Sequence, residues 1–134
     1  SLAAVLKSPL VGVSEDELLE FASGRSGSLW DALMEDEHPA AARLASWRHE
    51  ALTLSPATFY SRVLSRDRGR RAMLERLGSE AADAIDEFLS MALDFETREI
   101  PTLRGFIAHM RAAEVNVKRD MELGRNEVRV MTVH

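Results

Sequence analysis

A mainly α-helical fold, a compact subdomain of about six to eight helices with one C-terminal β-strand, follows from three features of the sequence. Apolar residues recur at intervals of three and four along most of the chain. Helix start and stop signals separate the periodic stretches. Only the closing "NEVRVMTVH", residues 126 to 134, changes period, to a β-branched run built on Val128, Val130, Thr132 and Val133.

The elements follow in order. In "SEDELLEF", Ser14 with Glu17 three positions later forms a capping box that satisfies orphan backbone donors, and Gly24 and Gly27 are stop signals behind it. A second helix starts at Ser28 and carries Leu29, Trp30 and Leu33. Pro39 suits a first helical turn, and Leu44, Trp47, Ala51 and Leu54 then share one face. Ser55 and Pro56 restart the pattern, burying Phe59 and Val63 with Tyr60 beside them. Met73, Leu74 and Leu77 mark a short helix before Gly78. Over residues 79 to 97, Ile85, Phe88, Leu89, Ala92 and Phe95 make a stripe between acidic positions, the clearest helix of the chain. Pro101 opens a further helix through Leu103, Phe106, Ile107 and Met110, fading near Val117. "MELGRNE" reads as a turn around Gly124, with an extended segment after it.

The 134 residues suit one domain able to bury a core without staples. With no cysteine, disulfides and thiolate metal sites are excluded, and no apolar block reaches the roughly 20 residues of a membrane span. The start "SLAAVLK" lacks the pattern of a secretory signal, so a soluble intracellular domain is expected, cut at both ends from a longer protein. The net charge of -5 conceals alternation. Lys and Arg against Asp and Glu number 4 and 9 in residues 1–50, 6 and 2 in 51–77, 1 and 7 in 78–100, and 6 and 4 in 101–134. Acidity of the whole argues against nonspecific polyanion binding by the entire surface, while one basic face remains available.

Catalytic constellations are scarce. His38, His49, His109 and His134 are scattered, with no second histidine at the spacing of a zinc helix, and they read as surface or capping residues, His134 excepted. Asp86 with Glu87, and the acids at 35 to 37, are sequence neighbours that point to different sides of a helix, which suits solvated faces better than acid/base pairs. "GRSG" at 24 to 27 is too short for a phosphate loop. The run "RVLSRDRGRR" is richer: Arg62, Arg66, Arg68, Arg70 and Arg71 place five guanidinium groups in ten residues, with Arg76 beyond. Guanidinium forks match phosphate oxygens, so the run is a candidate DNA contact. The competing reading, the more expected of the two, pairs these arginines with the acidic helix at 79 to 97.

"VRVMTVH" resembles the first half of motif V of the UvrD/Rep class of superfamily 1 DNA helicases, where a buried strand leads through Thr-x-His into Lys-Gly-Leu-Glu. "VLKSPLVGVSEDEL" resembles the passage from the second motor domain of such helicases into their inserted helical subdomain, called 2B. Between them, "RRAMLERLGSEAADAIDEFLSMALDFE" and "IPTLRGFIAHMRAAEVNVKRDMELGRNEVRVMTVH" are similar to the AddA subunit of bacterial AddAB helicase-nucleases. The order of these segments covers essentially the whole chain and makes the resemblance specific.

The resemblance implies a crossing from the motor at residues 1–10, a 2B-like helical subdomain at 11–124 and a return strand at 125–134. It implies a non-catalytic insertion in an ATP-dependent helicase-exonuclease of double-strand-break repair and recombination, cytoplasmic and active at the nucleoid. ATP and Mg would belong to the parent enzyme, with no cofactor in this segment. The implied partners are DNA, as a single-stranded track and a duplex ahead of the fork, and an AddB-type subunit; no membrane is implied. Thr132 and His134 match the family positions beside single-stranded DNA, where they would position the backbone. Two other classes stay open: a free-standing helical adaptor whose terminal strand pairs with a partner's sheet, and a helix-turn-helix regulator using the arginine run.

Overall fold

The computed structural model describes residues 2–23, 27–35, 37–98 and 100–133, with side chains described among these except at 21, 22 and 125–133. Eight α-helices make up its regular structure: α1 (Leu2–Lys7), α2 (Glu15–Ala22), α3 (Leu29–Glu35), α4 (Pro39–Thr53), α5 (Pro56–Leu64), α6 (Gly69–Leu77), α7 (Ala81–Arg98) and α8 (Leu103–Val133). The chain is thus mainly α, as its periodicity predicts.

Local chemistry sets most of the starts. The capping box forms as read: Glu17 N donates to Ser14 Oγ at 3.2 Å, and Ser14 N donates to Glu17 Oε2 at 3.3 Å. Pro39 and Pro56 each stand at the first turn of their helices, where a missing N–H costs nothing. Histidine 38 is a capping residue, its Nδ1 accepting from Ala40 N at 3.0 Å. The α5 start is completed from a distance: Glu96 of α7 accepts from Ala57 N at 2.8 Å, which places a carboxylate at the positive end of α5.

Residues 2–7, expected as a crossing segment, are helical and bury Leu6 completely. Leu6 joins Val13, Leu33, Leu44, Trp47 and Val63 in a core shared by α1, α3, α4 and α5. A second cluster locks α5, α7 and α8 through Ala57, Ala92, Phe95 and Phe106. Tyr60 packs against both. Its ring meets Phe88 edge-on at 4.8 Å and Phe106 at 6.0 Å, within the tilted geometry that aromatic quadrupoles favour.

The chain end corrects the sequence reading. The return strand expected at 125–134, and the turn expected at Gly124, are absent: the α8 backbone is helical to Val133, while His134 lies outside the described residues. A strand needs a neighbour to take its amide and carbonyl groups, and no strand occurs among the described residues. Extending an existing helix satisfies each new amide internally and needs no fresh nucleation, which outweighs the weak helix preference of valine and the cost of about 1 kcal/mol for an interior glycine. With 31 residues α8 is about 46 Å long at 1.5 Å per residue. Only its first turns are docked, and every residue from Arg111 to Leu123 is exposed.

Two glycines permit close approach. A Cβ on Gly69 would meet Val63 O at 2.6 Å, and one on Gly105 would meet Thr102 Oγ1 at 2.9 Å beside the Phe95 ring. Gly69 therefore lets the start of α6 press against the end of α5. Gly69→Ala, which in an open first turn would be neutral or stabilising, is expected to cost about 1–3 kcal/mol in chemical denaturation because backbone must shift.

Candidate nucleic-acid interface

The arginine run begins in the turn between α5 and α6. Asp67 N donates to Arg62 O at 3.0 Å and Arg68 N donates to Ser65 O at 3.2 Å, so the chain reverses over Ser65, Arg66 and Asp67. Arg68 closes it in the left-handed region, φ 60°, a conformation that costs a non-glycine residue about 1 kcal/mol or more. That reversal aims Arg66 and Asp67 back at α4.

Arg66 is held by two carboxylates. Its Nη1 and Nη2 donate to the two oxygens of Glu50 at 2.8 and 3.0 Å, and its Nε and Nη2 donate to Asp67 at 3.0 and 2.9 Å. Four of the five guanidinium N–H groups therefore have carboxylate partners. Trp47 Nε1 donates to Asp67 Oδ2 at 2.7 Å, tying the same carboxylate to the core of α4. The hydrogen bonds from Arg66 hold the carboxyls of both Glu50 and Asp67 below their ordinary range, and those from Asp67 and Glu50 push Arg66 further up.

The remaining arginines diverge. Arg70 forms an ion pair with Asp86 of α7, and Arg71 pairs along its own helix with Glu75 at 3.2 Å. Arg68 is exposed and its side chain has no hydrogen bond or ion pair with any described residue. Pairing with the acidic helix 79–97 thus holds for Arg70. Arg66 turns instead to Glu50, an acid of α4 sixteen positions away. Arg66 is exposed as well but committed to its two carboxylates, so the more available cations among the predicted contacts are Arg68 and Arg71, one free and one in a weak surface pair. Thr132 falls within the α8 backbone, but its side chain and His134 lie outside the described residues.

Two arginines outside the run bind main chain that comes from far away in sequence. Arg76 Nη1 donates to Lys7 O at 2.8 Å, and Arg43 Nη1 donates to Leu10 O at 3.2 Å with its guanidinium 5.8 Å from the centre of the Trp47 ring. Periodicity could not reveal these contacts, since neither carbonyl has any sequence signature. Elsewhere, a cavity of about 350 Å³ between α5, α6 and α7 is lined by apolar groups including Leu10, Val63, Met73, Ile85 and Phe88. Among the described residues no group of three or more His, Asp or Glu side chains is placed to hold a metal ion. No helix of the described residues is long and apolar enough to cross a membrane.

Neither protein-family models, nor curated protein sequences, nor solved structures give a match to this chain.

The clasp predicts a pH signature. Folded-state carboxyls lowered by Arg66 contribute stability above the unfolded carboxylate range, near pH 4, and lose it as pH falls through their folded values. The difference in Tm between wild type and Arg66→Met should therefore narrow as pH is lowered from about 6 to about 3. A gap independent of pH would remove the clasp from the stability of the fold. Trp47→Phe, which keeps one aromatic ring but deletes the donor to Asp67 and leaves the space of the pyrrole ring empty, should cost about 2 kcal/mol or more near neutral pH.

Proposed function

We propose that this chain is the helical 2B-type insertion of an AddA-like, ATP-dependent DNA helicase-nuclease of bacterial double-strand-break repair, a non-catalytic body that meets DNA ahead of the motor. The observation that carries this reading is the order of resembling segments, from "VLKSPLVGVSEDEL" to "VRVMTVH", along essentially the whole chain. A mainly helical body with a clasped, rigid turn suits a subdomain that moves as one piece. ATP and Mg would be bound by the motor of the parent, an AddB-type subunit would be its protein partner, and the setting would be cytoplasmic. Thr132 and His134 keep their proposed place beside single-stranded DNA.

The duplex contact falls first to Arg68 and Arg71. Arg66 and Arg70 are committed to carboxylates from other segments and contribute chiefly to the local field, whereas Arg68 is open to phosphate oxygens and Arg71 is held only by a surface pair with Glu75 that a phosphate can replace. A second reading, a helical adaptor for another protein, is favoured by the apolar side chains Val115, Val117, Met121 and Leu123 exposed along α8.

Fluorescence anisotropy with a labelled forked duplex at about 50 mM salt tests the DNA reading, since each phosphate contact adds to the salt dependence. Wild type should bind weakly, with affinity falling as salt rises. Arg68→Ala with Arg71→Ala should lower affinity several-fold while stability changes by no more than about 0.5 kcal/mol, as for open surface positions. No binding by wild type, or binding indifferent to that double substitution, would overturn the contact. DNA-stimulated ATP hydrolysis by the purified chain would contradict the non-catalytic assignment; none above background is expected.

A further inference from the structure

Cations far apart in the sequence surround the turn that follows α1. Arg76 and Arg43 each donate to a carbonyl of this turn, at Lys7 and Leu10. Beneath it, a Cβ on Gly69 would lie 3.0 Å from Leu10 Cδ2, so the start of α6 and its preceding residue, Arg68, border the same turn. The side chain of Lys7 itself is exposed. Three segments, the end of α1 at position 7, α4 at 43 and α6 with its cap at 68 to 76, thereby border the same four residues of main chain.

Neutralisation of this group is slight. Among the described residues no carboxylate forms an ion pair with Lys7, Arg43, Arg68 or Arg76. Asp67 feels the charge of Arg43 but is itself bonded to Arg66 and Trp47. In a chain of net charge -5, a cluster of four unpaired cations is a local reversal of sign. The two carbonyl hydrogen bonds hold the stems of Arg43 and Arg76 in place and leave further N–H groups on each guanidinium for a ligand. Arg68 and Arg76 stand about 12 Å apart along the α6 axis at 1.5 Å per residue, which makes the group a row rather than a point.

We infer that Lys7, Arg43, Arg68 and Arg76 form one phosphate-binding surface that tracks a DNA backbone across the turn between α1 and α2. This rests on the DNA-binding reading above and extends it to residues outside the arginine run. A row of guanidinium forks, those of Arg43 and Arg76 anchored to main chain, with an ammonium at its edge suits regularly spaced phosphate oxygens, which accept paired N–H donors. The contact is to backbone alone and carries no base preference.

The test compares two double variants of equal charge change in the anisotropy assay. Lys7→Glu with Arg76→Gln alters the surface, glutamine keeping a donor for Lys7 O, and leaves Arg68 and Arg71 intact. Lys118→Glu with Arg98→Gln alters exposed cations on α8 and at the end of α7. The first should weaken binding about tenfold or more at 50 mM salt and reduce the slope of log K against log salt by about 2, the second far less. Lys7→Glu alone, which leaves both carbonyl bonds, should retain at least half of the logarithmic loss, so that unfolding of the double variant cannot mimic the result. Equal losses in the two double variants would overturn the surface while leaving the DNA reading standing, provided that Arg68→Ala with Arg71→Ala still weakens binding. No DNA binding by wild type would overturn both. Displacement of the DNA by polyglutamate at equal charge concentration would also overturn it, assigning the surface to an acidic polypeptide.

Discussion

The four-part clasp of Glu50, Arg66, Asp67 and Trp47 decides where the basic half of this protein points. It links the middle of α4 to the turn before α6, with Arg66 bonded to both carboxylates and Trp47 bonded to one. Because Gly69 already presses α6 against the end of α5, the turn has little freedom once the clasp is made. The direction of α6 follows, and with it the positions of Arg68, Arg71 and Arg76. Partly buried, mutually bonded charges of this kind contribute little when compared with apolar replacements, but removing one partner strands the others. Their contribution here is geometric: they select one arrangement of the turn.

A division of labour among similar residues follows from that geometry. Five guanidinium groups within ten residues look equivalent in sequence, yet each meets a different environment. Arg66 has four of its five N–H groups on carboxylates, Arg70 is shared with Asp86, Arg71 lies along its own helix, and Arg68 is open. Phosphate recognition needs unoccupied N–H donors as well as charge, so the open members and the carbonyl-anchored Arg43 and Arg76 are better placed for it than the most densely bonded one. Clasp and contact surface are thus neighbours on one scaffold, one rigid and one available.

Much of the helical body was legible in the sequence because its signals are local. The Ser14 and Glu17 box, the prolines at 39 and 56 and the stripe from Ile85 to Phe95 all act within one or two turns, and each became the element expected. Residues 2–7 carry no helical signature in the sequence, since six residues are too few to show a period. The run from Val128 predicts a strand but is helical, because a short β-branched stretch has the same composition in a strand and in the tail of a helix, and only a pairing partner distinguishes them. The candidate site was half legible. Its arginine density was visible, while Glu50 lies sixteen positions before Arg66 and Lys7 sixty-nine before Arg76, separations that no local pattern encodes.

The central claim, that a carboxylate-bound Arg66 holds the turn while open arginines beside it meet DNA, can be tested by one NMR measurement. Arginine Nε–Hε resonances would be followed in the full chain as duplex DNA is added at low salt. The account predicts that the Arg68 resonance shifts with DNA concentration while that of Arg66, already bonded to Asp67, stays in place. An Arg66 resonance that moves with DNA while Arg68 stays fixed would contradict it.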